Sequence, residues 1–202
     1  RIQAEDYKLG GEGRGYHDTD TVNQGGAYKT DGVDIEATTD AGGGFNVGYI
    51  EAGEWLAYDV NVANTELYDI TARVASQVAG TKTLHVEVDG VNVTGPMSFT
   101  DASGWQSWVN VTAPRISLSA GNHGLRIVMD TGSVAAFTGL FNLNYLDIAV
   151  SGQTPTPTPT PIPGVVCTVS TASQPSATYT NQICNLNIGE SARVTLKDGS
   201  TH

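Results

Sequence analysis

The sequence predicts an all-β protein, an antiparallel β-sandwich, and three observations favour this fold class. Apolar residues alternate with polar ones over many short segments, which is the period of a strand that buries one face. Turns rich in glycine, aspartate and serine separate these segments, and the 202 residues include 24 glycines. No segment repeats its apolar residues at helical spacing, and only 15% of the residues are charged. Short strands of this kind are typical of two antiparallel sheets packed face to face.

Alternation is strictest in three segments, at 68–74, 83–89 and 125–130. Each predicts a strand with one buried face, because successive side chains point to opposite sides of a sheet. Asp89 and Gly90 predict a tight hairpin after the second of them, since this pair tolerates the left-handed backbone of a type I′ turn. Further strands are predicted at 2–6, 33–36, 46–50, 55–62, 107–112 and 141–149.

Composition divides the chain at residues 154–163, which run TPTPTPTPIP. Proline lacks an N–H group and fixes its φ angle, so this run favours an extended polyproline-II spacer. A flexible terminus is the alternative interpretation. We therefore predict a β-sandwich at 1–150, a Pro/Thr-rich linker at 151–164, and a truncated fragment of a second module at 165–202, whose function the sequence does not indicate.

Charge and hydropathy exclude two classes of partner. The net charge of −11 and the pI of about 4.5 disfavour binding to nucleic acids and to anionic membranes, because both kinds of binding require patches of lysine and arginine. No apolar run approaches the roughly 18–20 residues of a membrane span. The chain begins without methionine, and we expect it to be a piece of a longer protein. Cys167 and Cys184, its only cysteines, would form a disulfide only in an oxidising compartment.

Trp55 falls on the polar face of its predicted strand. Leu56 and Tyr58 share the apolar face, so alternation places Trp55 on the opposite side. Leaving a tryptophan in water forgoes about 2–3 kcal/mol of burial energy. Either a loop covers this ring or the ring is displayed for a ligand.

Two further aromatic residues lie at the ends of predicted strands. Trp105 follows a glycine in a loop that enters a strand, and Tyr49 follows Gly48 at the end of a short one. Exposed rings suit the apolar C–H faces of a sugar, whose hydroxyl groups need carboxylate or amide partners nearby. Residues of those types in suitable segments are Glu36, Asn142 and Asn144.

Seven segments resemble, in order, the sequences of family 6 carbohydrate-binding modules. They are IQAEDY at 2–7, GFNVGYI at 44–50, AGEWL at 52–56, RVAS at 73–76, GWQSW at 104–108, LSAGNH at 118–123 and FNLNYLD at 141–147. The match covers essentially all of 1–150. It implies a β-jelly-roll that binds polysaccharide without catalysing a reaction. It also implies a monomeric module of a secreted, bacterial glycoside hydrolase that acts on xylan, β-1,3-glucan, agarose or a related chain.

The resemblance further implies a sugar-binding cleft among loops at one edge of the sandwich. Tyr49 and Trp105 match the two aromatic residues that sandwich a sugar, and Asn142 matches the amide that bonds its hydroxyl groups. Glu36 matches the carboxylate that holds a chain end, which favours β-1,3-glucan or agarose over xylan. Trp55 matches the tryptophan of a second cleft that some members have on the concave sheet face.

A structural calcium ion is also implied. Gln3, Glu5 and Asp147 match its side-chain ligands, and a backbone carbonyl near Lys29 would complete the set. These ligands are all oxygen atoms, as calcium prefers. Glutamine at position 3, where family members carry an acidic ligand, lowers the charge of the site and should weaken binding. In the alternative, Glu5 and Asp147 are ordinary surface charges.

The glycine-rich segment 10–31 contains His17, Asp18 and Asp20. These residue types are ligands of zinc or of a second calcium ion, although scattered charges in a loop are more often simply solvated.

Two other functions remain open at this point. A glycosidase would need two carboxylates roughly 5–10 Å apart, and Glu36, Glu51 and Glu54 are candidates by type. An adhesion or assembly module would contact another protein instead of a sugar. The tethering of a hydrolase to its polysaccharide best explains a linker beside a binding domain.

Overall fold

The computed structural model describes residues 1–130 and 139–152, together with the backbone of three strands at 166–171, 174–180 and 191–195. The chain divides into two compact units, Arg1–Gly152 and Gln153–His202. Beyond Gly152, the predicted linker lies outside the described residues. So do the side chain of Cys167 and the whole of Cys184, and with them the disulfide considered above.

Two antiparallel sheets of six strands each form the first unit, which confirms the predicted β-sandwich. The strands are Ile2–Gln3 (β1), Tyr16–His17 (β2), Ile35–Ala37 (β3), Phe45–Val47 (β4), Trp55–Val62 (β5), Glu66–Ser76 (β6), Lys82–Val88 (β7), Val91–Asn92 (β8), Met97–Phe99 (β9), Gly104–Leu118 (β10), Gly121–Met129 (β11) and Asn142–Val150 (β12). The first sheet has the order β10-β6-β12-β4-β3, with β1 on β12. The second has the order β2-β5-β11-β7-β8, with β9 on β7.

The second unit contains a three-stranded antiparallel sheet. Its strands are Val166–Thr171 (β13), Gln174–Thr180 (β14) and Ser191–Thr195 (β15). The central strand is β13, which pairs with both of the others. No helix among the described residues of the chain has the length and apolar character to cross a membrane.

The alternating segments supply the core, as predicted. Leu84 and Val86 of β7 and Ile127 of β11 are almost completely buried, and Ile127 lies directly opposite Val86 across the two strands. The hairpin is also confirmed, because Val88 pairs with Val91 around Asp89 (φ 52°) and Gly90 (φ 79°). Left-handed φ angles at both central residues are the requirement of a type I′ turn.

Several strands differ in their bounds from the prediction. The strand expected at 33–36 is Ile35–Ala37, and the strand expected at 46–50 is Phe45–Val47. The strand expected at 2–6 ends at Gln3 and continues as a short 3-10 helix, Ala4–Asp6, whose first carbonyl accepts a hydrogen bond from Tyr58 Oη. The strand expected at 107–112 extends over Gly104–Leu118. Register shifts before Trp108 and after Ala113 interrupt its pairing with β6. The second shift accommodates Pro114, which has no N–H group to donate to the neighbouring strand. A proline usually ends a strand, so the sequence did not predict the continuation of β10 beyond it.

Candidate functional site

Three of the four predicted cleft residues meet at one end of the strands of the first sheet. Glu36 lies in β3, Asn142 begins β12, and Trp105 lies at the start of β10, where the register shift frees the strand from its neighbour. Asn142 Nδ2 donates to Glu36 Oε1 at 2.8 Å and to the carbonyl oxygen of Trp105 at 2.9 Å. Residues from three separate strands are therefore joined by one amide group.

Tyr49 is the fourth predicted cleft residue, and the residue before it, Gly48, lies close to the side chains of Glu36 and Asn142. A Cβ atom added to Gly48 would lie 3.2 Å from Asn142 Oδ1 and 3.4 Å from Glu36 Oε1, so a side chain there would press on both groups. Tyr49 itself has a φ of 52° and is 44% exposed. A left-handed conformation is uncommon for a residue with a side chain and is often found at functional sites.

Two amide side chains that the sequence reasoning missed complete the surroundings of Glu36. Gln106 Nε2 donates to Glu36 Oε1 and to Asn46 Oδ1, both at 3.1 Å, and Asn46 Nδ2 donates to Glu36 Oε1 at 3.2 Å. The backbone N–H of Thr39 donates to Gln106 Oε1 at 2.8 Å. Asn46 lies in the segment GFNVGYI and Gln106 in the segment GWQSW, both of which resemble family 6 modules. A polar residue inside a predicted strand was the feature of the sequence that could have indicated a role for each.

Trp55 lies off the core, as alternation predicts, since its neighbours Leu56 and Tyr58 are buried while its own ring is half-buried. The guanidinium carbon of Arg126 lies 4.3 Å from the centre of the indole ring. The imidazole ring of His17 lies 6.4 Å away on the neighbouring strand β2. The side chain that covers this tryptophan is therefore a cation from β11, and no loop is needed.

The first two predicted calcium ligands carry a specific defect in their hydrogen bonding. Gln3 Oε1 and Glu5 Oε2 are buried and have no hydrogen-bond partner in the described part of the chain. Glu5 is only 5% exposed, and burial raises the pKa of its carboxyl group. Buried polar atoms are normally paired, so two orphaned oxygens two residues apart fit a bound cation.

The other two predicted ligands are engaged elsewhere. Asp147 accepts two hydrogen bonds from Arg1, at 2.9 and 2.8 Å, and this ion pair lowers its pKa. The carbonyl oxygen of Lys29 accepts from Asn23 Nδ2 at 2.9 Å. Gln3 pairs across the sheet with Tyr145, which is two residues before Asp147. The side chains of Gln3 and Asp147 therefore lie on the same face of the sheet.

Segment 10–31 brings two of its three flagged residues together. Carboxylate oxygens of Asp18, Asp20 and Asp34 all lie within 4.8 Å of one another, and the sequence reasoning missed Asp34. Burial, followed by the charges of its neighbours, raises the pKa of Asp34 to about 6. His17 is not a member of this cluster, and its Nδ1 lies 2.6 Å from Glu12 Oε1.

Glu54, a candidate of the glycosidase alternative, is enclosed by protein. It is 6% exposed, and burial raises its pKa to about 7. Its Oε1 accepts from the N–H of Thr19 at 3.2 Å and lies 2.9 Å from the Thr19 hydroxyl. Its Oε2 accepts from the N–H of Glu51 at 2.9 Å. Both carboxylate oxygens therefore already have partners within the fold.

Comparison with known proteins gives one family. The family model described as carbohydrate binding module (family 6) matches residues 24–149. The carbohydrate-binding module of Cellvibrio mixtus lichenase 5A, solved in complex with cellotriose, is 34% identical with a TM-score of 0.51. The match covers 74% of this chain and 95% of that one.

Among the curated proteins that match, two do so over shorter stretches. The clotting factor G alpha subunit of Tachypleus tridentatus is 32% identical over 118 residues, which are 57% of this chain and 16% of the relative. Endo-1,4-beta-xylanase A of Thermoclostridium stercorarium is 34% identical over 117 residues, 56% of this chain and 16% of the relative. The chain thus spans about a sixth of the length of these relatives.

Proposed function

This chain belongs to carbohydrate-binding module family 6, and we propose that it binds the end of a polysaccharide chain in the cleft formed by Glu36, Tyr49, Trp105 and Asn142. The observation that carries the proposal is the hydrogen-bonded pair of Glu36 and Asn142 beside the exposed ring of Tyr49. Aromatic rings supply an apolar platform, and the carboxylate and amide orient the sugar through its hydroxyl groups.

We favour β-1,3-glucan or agarose as the ligand, with xylan as the next candidate. A half-buried carboxylate with three amide partners beside two rings suits a terminal sugar, which offers one more free hydroxyl group than an internal one. Among the relatives, one module was solved with cellotriose and another belongs to a xylanase. Related modules are thus associated with more than one β-linked glycan, and our preference for β-1,3-glucan or agarose rests on the Glu36 position.

The module would act by tethering. Residues 151–164 are proposed as a spacer to the rest of a secreted, bacterial glycoside hydrolase, and residues 165–202 as part of a second module. Holding an enzyme beside its insoluble substrate raises the effective concentration of each for the other. The module itself would act as a monomer and would need no contact with nucleic acid or membrane.

The contacts of Glu36 favour binding over hydrolysis. A glycosidase flanks the scissile bond with two carboxylates, one of them a proton donor. Within the described residues, the side chains that bond Glu36 are three amides and no carboxylate. Glu54 has the raised pKa of an acid catalyst, but its oxygens face Thr19 and Glu51 within the fold.

We also propose a structural calcium ion held by Gln3 and Glu5, with Asp147 and the carbonyl of Lys29 as the predicted remaining ligands. The two orphaned oxygens support the first pair. Asp147 would have to exchange its bond to Arg1 for the metal. When bound, the ion would link the first strand to the last. It would also compensate the negative charge of the buried Glu5 carboxylate, whose Oε2 has no hydrogen-bond partner among the described residues.

Affinity electrophoresis in gels that contain laminarin, agarose, xylan or hydroxyethyl cellulose tests the proposed function. We expect retardation in at least one gel, strongest with laminarin or agarose. Migration unaffected by all four would contradict sugar binding and favour the protein-contact alternative. Release of reducing sugar by the purified protein, lost in Glu36→Ala, would instead show the chain to be an enzyme.

A further inference from the structure

We infer that the polar pair of the edge cleft, Glu36 and Asn142, presents only hydrogen-bond acceptors to the ligand, so that the cleft selects a neutral terminal sugar and rejects a uronate or sulfated sugar at the same position. The inference rests on the proposed function and adds the chemical class of the sugar. It depends on the direction of each hydrogen bond around Glu36 and Asn142. Those directions follow from which groups can donate a hydrogen as well as from the distances between them.

A carboxylate can only accept hydrogen bonds. Each amide that faces Glu36 Oε1 must therefore direct its NH2 group toward that oxygen, at 2.8 Å from Asn142, 3.1 Å from Gln106 and 3.2 Å from Asn46. This requirement removes the usual ambiguity in the orientation of an amide. Three donors converge on one carboxylate oxygen, and the described residues donate none to Oε2.

Asn142 has no donor left for a ligand. Its Nδ2 carries two hydrogens, one directed at Glu36 Oε1 and the other at the carbonyl oxygen of Trp105, which is also an obligatory acceptor. Only Oδ1 remains, and no described residue donates to it. Asn142 is 3% exposed, so its amide cannot turn over without breaking both bonds.

Gln106 is the positioning residue of this arrangement. Its Oε1 accepts from the backbone N–H of Thr39 at 2.8 Å, which fixes the opposite end of the amide as the donor. That donor reaches both Glu36 and Asn46. A rotated Gln106 would place an oxygen against the carboxylate and lose the bond to Thr39.

The cleft therefore offers a ligand Glu36 Oε2 and Asn142 Oδ1, a charged and a neutral acceptor. Free hydroxyl groups satisfy both, because each hydroxyl donates one hydrogen. A carboxylate or sulfate on the same sugar would face Glu36 with like charge in a partly desolvated site. No lysine or arginine contacts Glu36 or Asn142 among the described residues, so no cation is present to compensate.

Isothermal titration calorimetry with matched probes tests the inference. The probes are laminarihexaose, an agarohexaose with galactose at its non-reducing end, and xylohexaose. Each is compared with a counterpart whose non-reducing terminal residue is replaced by the matching uronic acid, which is glucuronic acid for glucose and xylose and galacturonic acid for galactose. For each neutral probe that binds, we expect its counterpart to bind at least about tenfold more weakly. The difference should persist at high salt, which screens the overall charge of −11 but not a close contact.

Glu36→Gln provides the sharper comparison. Its carbonyl oxygen can keep the three amide bonds, and its NH2 group then replaces Oε2 as a donor in the cleft. Affinity for the neutral probe should fall while affinity for the carboxylated probe rises, with an unchanged melting temperature. Glu66→Gln, at an exposed position that begins β6, removes the same charge and should leave the ratio of affinities unchanged.

Two outcomes separate the inference from the function beneath it. If a neutral probe and its carboxylated counterpart bind the native protein equally, the acceptor-only role of Glu36 and Asn142 is wrong and sugar binding stands. If no neutral probe binds, the proposed function fails and the inference with it. A Glu36→Gln variant that weakens both probes in proportion would also overturn the inference, because a merely structural role predicts that result.

Discussion

Arg73 binds Asp40 through two parallel hydrogen bonds, Nε to Oδ2 and Nη2 to Oδ1, both of 2.8 Å. Asn144 Nδ2 adds a third bond to Asp40 Oδ2 at 2.9 Å. Asp40 begins the glycine-rich turn between β3 and β4, the strands that carry Glu36 and Asn46. These bonds therefore hold the turn to β6 and β12, beside the cleft.

Loss of this ion pair should destabilise the protein near neutral pH and much less in acid. Arg73, before any other cause, lowers the pKa of Asp40 from 3.8 to about 2. A depressed pKa stabilises the fold above 3.8, and the contribution disappears as the pH falls toward 2. Arg73→Met should remove on the order of 2 kcal/mol of unfolding free energy near neutral pH and less near pH 3, as measured by urea denaturation.

Lys8→Met is the control for that experiment. Lys8 pairs with Asp59 at 3.1 Å, but the Asp59 side chain is 75% exposed, so water screens the pair. Its removal should change the unfolding free energy by less than about 0.5 kcal/mol. Equal losses in the two variants would show that the Asp40 bond to Arg73 has no special part in stability.

The two aromatic residues of the cleft should each be necessary for sugar binding. Tyr49→Ala and Trp105→Ala remove a stacking surface and should nearly abolish retardation in the gel that the native protein recognises. Tyr28→Ala is a close control, because Tyr28 is also exposed and also has a left-handed φ, of 62°, but packs on Phe45 and bonds Asp6. Native retardation by the Trp105→Ala protein would show that the cleft is assigned to the wrong place.

The strands and the cleft residues were predictable from sequence to different degrees. Alternation in β7 and β11 reports burial directly, so Leu84 and Ile127 could be placed in the core. Asn46 and Gln106 could not be placed, because their side chains join β4 to β10, which are not neighbours in the sheet, and no local sequence pattern encodes such a contact. Arg126 over Trp55 is a contact between neighbouring strands, which alternation describes only as a shared face.

Removal of calcium should destabilise the protein more than it weakens sugar binding. Without a cation, Gln3 Oε1 and Glu5 Oε2 remain buried and unpaired, and EDTA should therefore lower the melting temperature. Gln3→Glu adds a second charge and should strengthen the effect of calcium on melting. Asp59→Asn, at an exposed carboxylate, should respond to EDTA as the native protein does. An unchanged melting temperature in EDTA would contradict the metal site.

A second cleft at Trp55 makes a separate prediction. Trp105→Ala should then retain weak binding, which Trp105→Ala combined with Trp55→Ala abolishes. Because Arg126 covers the indole ring, a sugar must displace it, and Arg126→Ala should strengthen the residual binding of Trp105→Ala. Calorimetry with the recognised oligosaccharide measures both effects. If the Trp105→Ala protein binds nothing detectable, with or without Arg126, Trp55 has no role in sugar binding.

Glu54 should make the protein less stable as the pH rises from about 4.5 to about 7. Burial raises its pKa from 4.5 to about 7, so the folded state keeps a proton that the unfolded state has lost in this range. Stability therefore falls with rising pH, by on the order of 3 kcal/mol for this group. The protonated carboxyl group can donate to the Thr19 hydroxyl, which in turn donates to Glu51 Oε2 at 2.9 Å. Urea denaturation in EDTA across this range should show a flatter pH dependence for Glu54→Gln and an unaltered one for Glu66→Gln. Identical slopes in all three proteins would mean that Glu54 is ionised in the fold.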